Sequence, residues 1–476
     1  MNIMKHFFSL ALIVLTVFGM TGCKHDETDV LNITINGERY SISLQKDTVV
    51  NLVTLNTEFD AEFEVENASM FKELTIAGKS ATSGFVKVPV TKIAAGVQIP
   101  IVYRSGDYQG TILINTLNAQ IPPMAVTGKA TSEGDFYLSF VHTRLVIKMD
   151  NDGNILFYRC NSNDIQSTNN TGWWDFKKHV IGGQTYYSYH ANDPKFSYLV
   201  ISGYDPGMRV ILDDHYKVVK TIQLLASGPY VHNGDPIDGH DFYMFDLDHY
   251  IVSSYIDRNI GDRTVASAYL QEVDRGKVVF DWWSVEHPEM EGWFDETFSS
   301  TAGKDYVHFN AIQVLPDGNW LCSFRHISSV LKIDRTDATG NIIWRISGEA
   351  QPSAYSFCGQ HNAWLDGTTL TLFDNGNGHP TPASRPLKLT INPSTGEVSN
   401  GGELVNGGDY FTQACGSVCK SGNNYIVGWG FPGSVTLNDR IVIEYDASGN
   451  EIFGLRNTGN DLITNAYRCS YRCVKM

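Results

Sequence analysis

Short apolar runs broken by turns recur along most of this chain, and six of them follow one pattern. The segments are VIKMDNDGNILFYR from Val146, VILDDHYKVVKTIQ from Val210 and LQEVDRGKVVFDWW from Leu270. LKIDRTDATGNIIWR from Leu331, LTINPSTGEVSNGG from Leu389 and VIEYDASGNEIFGLR from Val442 complete the set. Each reads as a strand, an Asp or Asn, a turn usually holding Gly, and a second strand, which is a β-hairpin. Aligned on Asp150, Asp213, Asp274, Asp334, Asn392 and Asp446, they stand 63, 61, 60, 58 and 54 residues apart. Six hairpin units at this interval predict an all-β, six-bladed β-propeller over residues 128–476, with about four strands per blade. In that fold each sheet covers a face of its neighbour, so the strands are apolar without one globular centre. Six unrelated hairpins in a large β-sandwich would not account for the regular interval.

Residues 30–127 carry a different pattern. LNITINGERYSISL, from Leu31, alternates on both sides of Asn36-Gly37, the strongest short hairpin signal. EFDAEFEVEN and VQIPIVYRSGDYQGTILINTL continue in the same style, and strands alone over this length predict a small N-terminal β-sandwich. Ile121-Pro122-Pro123 reads as the boundary linker. Ahead of this region an apolar run, Phe7 to Phe18, follows Lys5 and His6. It is too short to span a bilayer as a helix and has the length of a signal-peptide h-region. Met20-Thr21-Gly22-Cys23 resembles a bacterial lipobox. Residues 1–22 then read as a lipoprotein signal peptide, Cys23 as the lipidated first residue of the mature chain, and 23–29 as a tether. An ordinary signal peptide with a chance cysteine is the other reading. The expectation is an exported, membrane-anchored lipoprotein on the periplasmic or cell-surface side of the outer membrane.

Composition narrows the partners. The 476 residues suit one large domain and a smaller one. A formal net charge of −16 argues against a nucleic-acid partner, which needs a basic face. Charged residues are only 18% of the chain, aromatics 12%, and glycines number 43, the balance of a packed, turn-rich β protein. Setting Cys23 aside leaves seven cysteines. Cys415 with Cys419, and Cys469 with Cys473, are close enough in sequence to pair in an oxidising compartment. Neither spacing is that of a zinc site, and no metal or cofactor is expected. The oligomeric state stays open, a homodimer included.

In a propeller, loops from all blades converge on the central channel, so residues distant in sequence meet there. Three segments in successive repeat units carry polar groups suited to this. PIDGHDFYMFD holds His240 and Asp241. KDYVHFNAIQVLPDGNWLCSFRHISSVLKID holds His308, Asn310, Arg325 and His326. CGQHNAWLDGTTLTLFDNGNGH holds His361, Asp374 and Asn375. Any one of these histidines alone reads as a satisfied polar group beside a turn. Three at matching repeat positions, with Arg325 at a strand end, point to a shared site. His326, alternating with Arg325 along a strand, reads as structural. So do His179, His190, His215, His232 and His249.

From Asp305 to Gly378, DYVHFNAIQVLPDGNWLCSFRH, then VLKIDRTDATGNIIWRISG, then QHNAWLDGTTLTLFDNGNG resemble the bacterial arylsulfate sulfotransferases in order and spacing. In layout the resemblance covers roughly residues 130–476. It implies a small β-sandwich joined to a six-bladed propeller, and transfer of a sulfuryl group from a phenolic sulfate ester to another phenol without a nucleotide donor. It also implies that His361, in QHNA, is the transiently sulfated nucleophile. His308 and Arg325 match the family's sulfuryl-binding residues, and His240, in a shorter match, a further active-site histidine. Two departures stand out. The best-studied branch has a disulfide in the loop before its nucleophile, where this chain has only Cys358. That branch is also soluble, which a lipid anchor at Cys23 would not be.

The chemistry agrees with the resemblance. A neutral imidazole can attack sulfur and split one hard transfer into two easier ones, a ping-pong course. Arg325 and a donating His308 would hold the sulfuryl oxygens in a water-poor channel. His240 or His308 would serve as the general acid and base for phenolate and phenol. Phe309 and Trp364 are candidates to stack on the aryl ring, packing between sheets being their other reading. Two rival functions remain. One is a non-catalytic, lipid-anchored propeller that binds glycans or proteins. The other is a metal-dependent hydrolase or lyase, against which stands an arginine amid the histidines.

Overall fold

The computed structural model describes residues 30–35, 38–43, 48–52, 60–65, 68–81, 85–89, 98–106, 108–116, 124–140, 144–153, 155–160, 172–193, 195–196, 204–214, 216–294, 304–405, 410–431, 439–457 and 470–476. The signal segment with Cys23 and the tether, the Asn36-Gly37 turn, the Ile121-Pro122-Pro123 linker, His215 and Cys469 lie outside them. Among the described residues the regular structure is β-strand with short 3-10 turns. No helix there is long and apolar enough to cross a membrane.

The chain divides into two compact units: Met1–Thr48, Glu62–Val86 and Ile101–Ile112 make one, and Val49–Ala61, Lys87–Pro100 and Leu113–Met476 the other. In the first, Val30–Ile35 pairs antiparallel with Glu38–Ser43, Ile35 opposite Glu38, the register a two-residue Asn-Gly connection dictates. Leu31, Val65, Leu74, Ile76 and Tyr103 are buried there.

The second unit holds six sets of four antiparallel strands. Set one is Phe136–Phe140, Leu145–Met149 and Ile155–Cys160, with the C-terminal strand Ser470–Lys475 paired antiparallel to Phe136–Phe140. Set two runs from Trp173–Ile181 to Val218–Ile222, joined to set one by the single pair Phe140–Trp173 in one eight-stranded sheet. Set three runs from Tyr243–Met244 to Lys277–Trp283, set four from Phe309–Val314 to Ile342–Ser347, and set five from His361–Asp366 to Val398–Glu403. Set six, Ser417–Ser421 to Glu451–Asn457, takes Met124–Gly128 as a fifth strand. The six expected hairpins are the third and fourth strands of these sets.

The marker residues explain why the hairpins turn where they do. The side chains of Asp150, Asp213, Asp334, Asn392 and Asp446 accept the backbone N–H of Asp152, Lys217, Thr336, Ser394 and Ser448 at 2.8–2.9 Å. Asp274 instead precedes a two-residue turn, Arg275-Gly276, with φ of 49° and 74°.

Apolar clusters seam consecutive sets. Tyr137 and Phe157 meet Phe176 and Tyr187, Ile211 meets Val252 and Tyr269, and Trp282 meets Phe309 and Trp320. Further on, Val330 meets Leu372, and Phe373 meets Trp429. Between sets six and one, Phe453 stacks on Phe136 at 4.8 Å, and the buried Lys475 ammonium reaches Glu444 at 2.9 Å.

Candidate active site

The segments leading into the first strands of sets three, four and five carry His240, His308 and His361, each nearly buried. Each imidazole is aimed by a partner on Nδ1. Asp238 folds onto His240 two residues later: its carboxylate takes the His240 backbone N–H at 3.1 Å and Nδ1 at 2.8 Å. Gly239 between them fits because a Cβ would come within 2.8 Å of the His190 ring. Asp305 does the same for His308, accepting its backbone N–H at 3.0 Å and bonding Nδ1 through Oδ2. The partner of His240 is thus Asp238. Asp241, which the sequence reading put beside it, lies in a different network described below.

His361 differs in kind. Its Nδ1 meets the Asn375 amide oxygen at 2.7 Å, while the Asn375 amide nitrogen donates to the carbonyls of Thr412 and Cys415 at 3.0 Å each. Those two carbonyls fix which way the amide faces, so Nδ1 carries the proton and Nε2 the lone pair. Nε2 accepts the Cys415 N–H at 3.2 Å. Burial, then Arg325, hold the His361 imidazole well below the usual histidine range, with His240 and His308 adding to the effect and the Asn375 bond opposing it.

The expectation that Arg325 and His326 alternate along a strand fails. That strand ends at Phe324, and Arg325–Ile327 form a 3-10 turn closed by Ser328 in the left-handed region. The turn brings both side chains to one place: Arg325 Nη1 donates to His326 Nε2 at 2.8 Å, and His326 Nδ1 donates to the Asp305 carbonyl at 2.6 Å. Arg325 Nη2 also reaches the carbonyl of Gln413, two residues before Cys415. The His326 ring stacks on His308 at 4.4 Å, and His308 meets His240 edge-on at 4.9 Å. Tyr471 completes the wall, its hydroxyl donating to the His240 carbonyl at 2.6 Å and its ring stacked on Trp174. The sequence-predicted residues are therefore gathered, and Asp238, Asp305, His326, Trp174, Cys415 and Tyr471 join them.

Burial pushes the Asp305 carboxyl up to about 6, against the pull of His326 and the His308 N–H. Burial, then His240 and Arg325, hold His308 well below its ordinary value; burial and His308 do the same to His326. The backbone is strained at the same place, where His308, Ser328, Asn362 and Cys415 all have φ between 42° and 64°. Such conformations cost on the order of 1–3 kcal/mol each and concentrate at functional sites.

Donor atoms of Asp305, His308 and His326 lie within 4.8 Å of one another. The set does not fit a cation, because both His326 nitrogens are engaged and the Arg325 guanidinium would stand against the ion.

Other expectations changed. Cys322, Cys358, Cys415, Cys419 and Cys473 are thiols. Cys415 and Cys419 do not pair: Cys419 sits in the strand Ser417–Ser421, whereas Cys415 precedes it in a left-handed conformation and donates its N–H to His361. Cys473 is likewise unbridged. The loop before His361 is held by side chains instead: Asp374 accepts the Cys358 N–H at 2.9 Å, and Ser328 accepts the Gly359 N–H at 3.3 Å. Phe309 is core, edge-on to Phe324. Trp364 is 46% exposed and lines a cavity that none of the clustered histidines lines.

Residues 195–458 match the protein family described as Arylsulfotransferase (ASST), a span that contains His240, His308, Arg325 and His361. No curated protein matches this chain. Among solved structures, a Bacteroides caccae protein of unknown function is 11% identical with a TM-score of 0.41, over 72% of this chain and 98% of that one. A catalytically inactive virginiamycin B lyase from Staphylococcus aureus, solved with quinupristin, is 10% identical with a TM-score of 0.31, over 70% and 99%. AztD from Citrobacter koseri is 12% identical with a TM-score of 0.28, over 73% and 98%. At such scores these likenesses carry no argument about fold or function.

Proposed function

The chain belongs to the arylsulfotransferase family, a sulfotransferase type of enzyme that acts on phenolic compounds, and from that premise we propose that it works by ping-pong transfer through a sulfated His361. The observation that carries this reading is the division of labour among the imidazoles. Two are backed by carboxylates, Asp238 behind His240 and Asp305 behind His308, whereas His361 is backed by a neutral amide. Burial holds both His308 and His361 neutral at rest; a carboxylate behind the ring steadies an imidazolium formed during the reaction, whereas a neutral amide oxygen leaves His361 as the uncharged nucleophile.

In the first half-reaction His361 Nε2 exchanges the Cys415 amide for sulfur. The S–N bond forms as the S–O(aryl) bond breaks, and the electron pair leaves on the phenolate oxygen. The Cys415 N–H released from Nε2, Arg325 and His240 then meet sulfuryl oxygens whose negative charge grows. In the second half-reaction the acceptor phenol gives its proton to His308 Nε2 and attacks sulfur, and the S–N electron pair returns to His361. The His308 imidazolium, steadied by Asp305, passes that proton to the next departing phenolate. No nucleotide, metal or cofactor enters these steps.

Six four-stranded sets with apolar seams from each to the next support a six-bladed propeller for residues 128–476, with the cluster on its axis. Residues 30–127 form the small β-sandwich of this reading, and Cys23 tethers the exported protein by lipid. The test is incubation with 4-nitrophenyl sulfate followed by mass spectrometry. A sulfuryl adduct on His361, discharged by added phenol and missing from His361→Asn, is expected. Full transfer by that variant would overturn the assignment. No nitrophenol release with or without phenol would favour a non-catalytic binding protein.

A further inference from the structure

A second concavity lies one residue deeper along the same inner segments. Where His240, His361 and Tyr471 belong to the cluster, the next residues, Asp241, Asn362 and Arg472, line a cavity of about 570 Å³. A buried ion network forms its floor. Lys177 Nζ donates to Asp241 at 2.6 Å and to Asp175 at 2.9 Å, and Arg472 reaches the same two carboxylates at 3.0 and 3.1 Å. Arg209, fully buried, adds a further cation on Asp175 at 3.0 Å. Three cations against two carboxylates leave the floor net positive in a chain whose formal charge is −16. Two of the three ammonium protons of Lys177 are placed by those bonds, which leaves one for an occupant. Arg472 and Lys177 hold the Asp241 carboxyl well below its usual range although burial works to raise it, so the floor stays ionised. Trp364 and Val180, 46% and 63% exposed, border its outer part, beside Lys420, which meets Asp366 at 3.4 Å.

We propose that this cavity binds a small aromatic anion, a one- or two-ring carboxylate or sulfonate, with its ring against Trp364 and its charge toward Lys177 and Arg472. An apolar rim over a buried cationic floor matches a ligand whose two ends differ in this way, and the volume lies in the range of small-molecule sites. A neutral sugar would use the aromatic rim and leave the floor's excess charge unmatched. The inference does not depend on the sulfotransferase reading.

Benzenesulfonate is the probe, because its sulfur is bonded to carbon and cannot be transferred. Calorimetric titration is run on Arg325→Ala, in which the catalytic cluster has lost its guanidinium, and is expected to show a site that binds neutral benzenesulfonamide at least about tenfold more weakly than benzenesulfonate. Adding Trp364→Ala or Lys420→Glu, both at exposed positions, is expected to weaken benzenesulfonate at this site by about tenfold, whereas the wild-type chain binds it at least as tightly. Thermal unfolding confirms that the variants fold. No binding to Arg325→Ala, equal binding of the neutral analogue, or binding kept in full when Trp364→Ala is added would each overturn the proposal.

Discussion

If transfer runs in the two half-reactions proposed above, Asp305→Asn should separate them. Asp305 Oδ1 accepts the His308 backbone N–H at 3.0 Å, and Oδ2 accepts the Nδ1 proton. An asparagine keeps the first bond through its oxygen but presents N–H to Nδ1. The imidazole must then carry its proton on Nε2, where it can donate weakly and cannot accept. A unit charge pair at about 4 Å and an effective dielectric of about 20 is worth ~4 kcal/mol, the support the imidazolium would lose. Loss of a general base slows a step by about 10²–10⁴-fold, or ~2.7–5.4 kcal/mol, and the two figures agree. The loss falls on the acceptor half-reaction, because nitrophenolate is a good leaving group and needs little acid. Stopped-flow mixing with 4-nitrophenyl sulfate should therefore show the first-turnover burst of nitrophenol nearly intact. Steady-state turnover with phenol should fall by about 10²–10⁴-fold. A variant in which burst and turnover fall together, or neither falls, would show that His308 is not the proton carrier.

Three further outcomes are expected. Lys475→Met leaves the Glu444 carboxylate buried without its ammonium, 2.9 Å away in the native chain, and should cost about 3–5 kcal/mol in urea unfolding; an unchanged midpoint refutes it. His308, His326 and His361 are held below their ordinary range, so their neutral forms lend stability that is complete above about pH 6.5 and lost as pH falls. Asp305, raised to about 6, acts oppositely, favouring the fold below the ordinary aspartate value and losing that contribution as pH rises through about 6. His179, His190 and His287 are lowered as well and Asp205 raised, so with six histidines against two carboxyls the urea midpoint should be lower near pH ~5.5 than near ~7.5, and the reverse order would contradict these environments. Cys23→Ser should move the protein from the membrane pellet to the soluble exported fraction; unchanged partition would leave no lipid anchor there.

The hairpins were legible because their signal is local. An Asp or Asn that accepts N–H groups two to four residues ahead marks a turn whatever surrounds it, and the strands on either side need only be apolar. The first two strands of the sets gave a weaker signal. In Phe309–Val314 and Trp320–Phe324 nearly every residue is buried, because both faces of these strands are covered, and polarity does not alternate there. The Cys415–Cys419 pairing failed because the left-handed turn at Cys415 and Gly416 gives Cys415's N–H to His361, while Cys419 is fixed inside the strand that follows.

The candidate site divides along the same line. Asp238-Gly239-His240 and Asp305-Tyr306-Val307-His308 are local devices, each a carboxylate folding onto a histidine two or three residues later, and both were open to reading. Asp241 adjoins His240 in sequence, but adjacent residues on an extended segment face opposite ways. What no local reading supplies is the setting of His361. Its Nδ1 depends on Asn375, whose orientation is set by the carbonyls of Thr412 and Cys415 in the segment ahead of the next set of strands. Its charge state depends on Arg325 in the set before. A histidine at a strand start, an asparagine just after the next strand and an arginine in a 3-10 turn, common residues each, make the neutral imidazole that the proposed mechanism needs only when the fold brings them together. The backing of an imidazole, by carboxylate or by amide, is therefore what assigns its role here, more than the presence of the histidine itself.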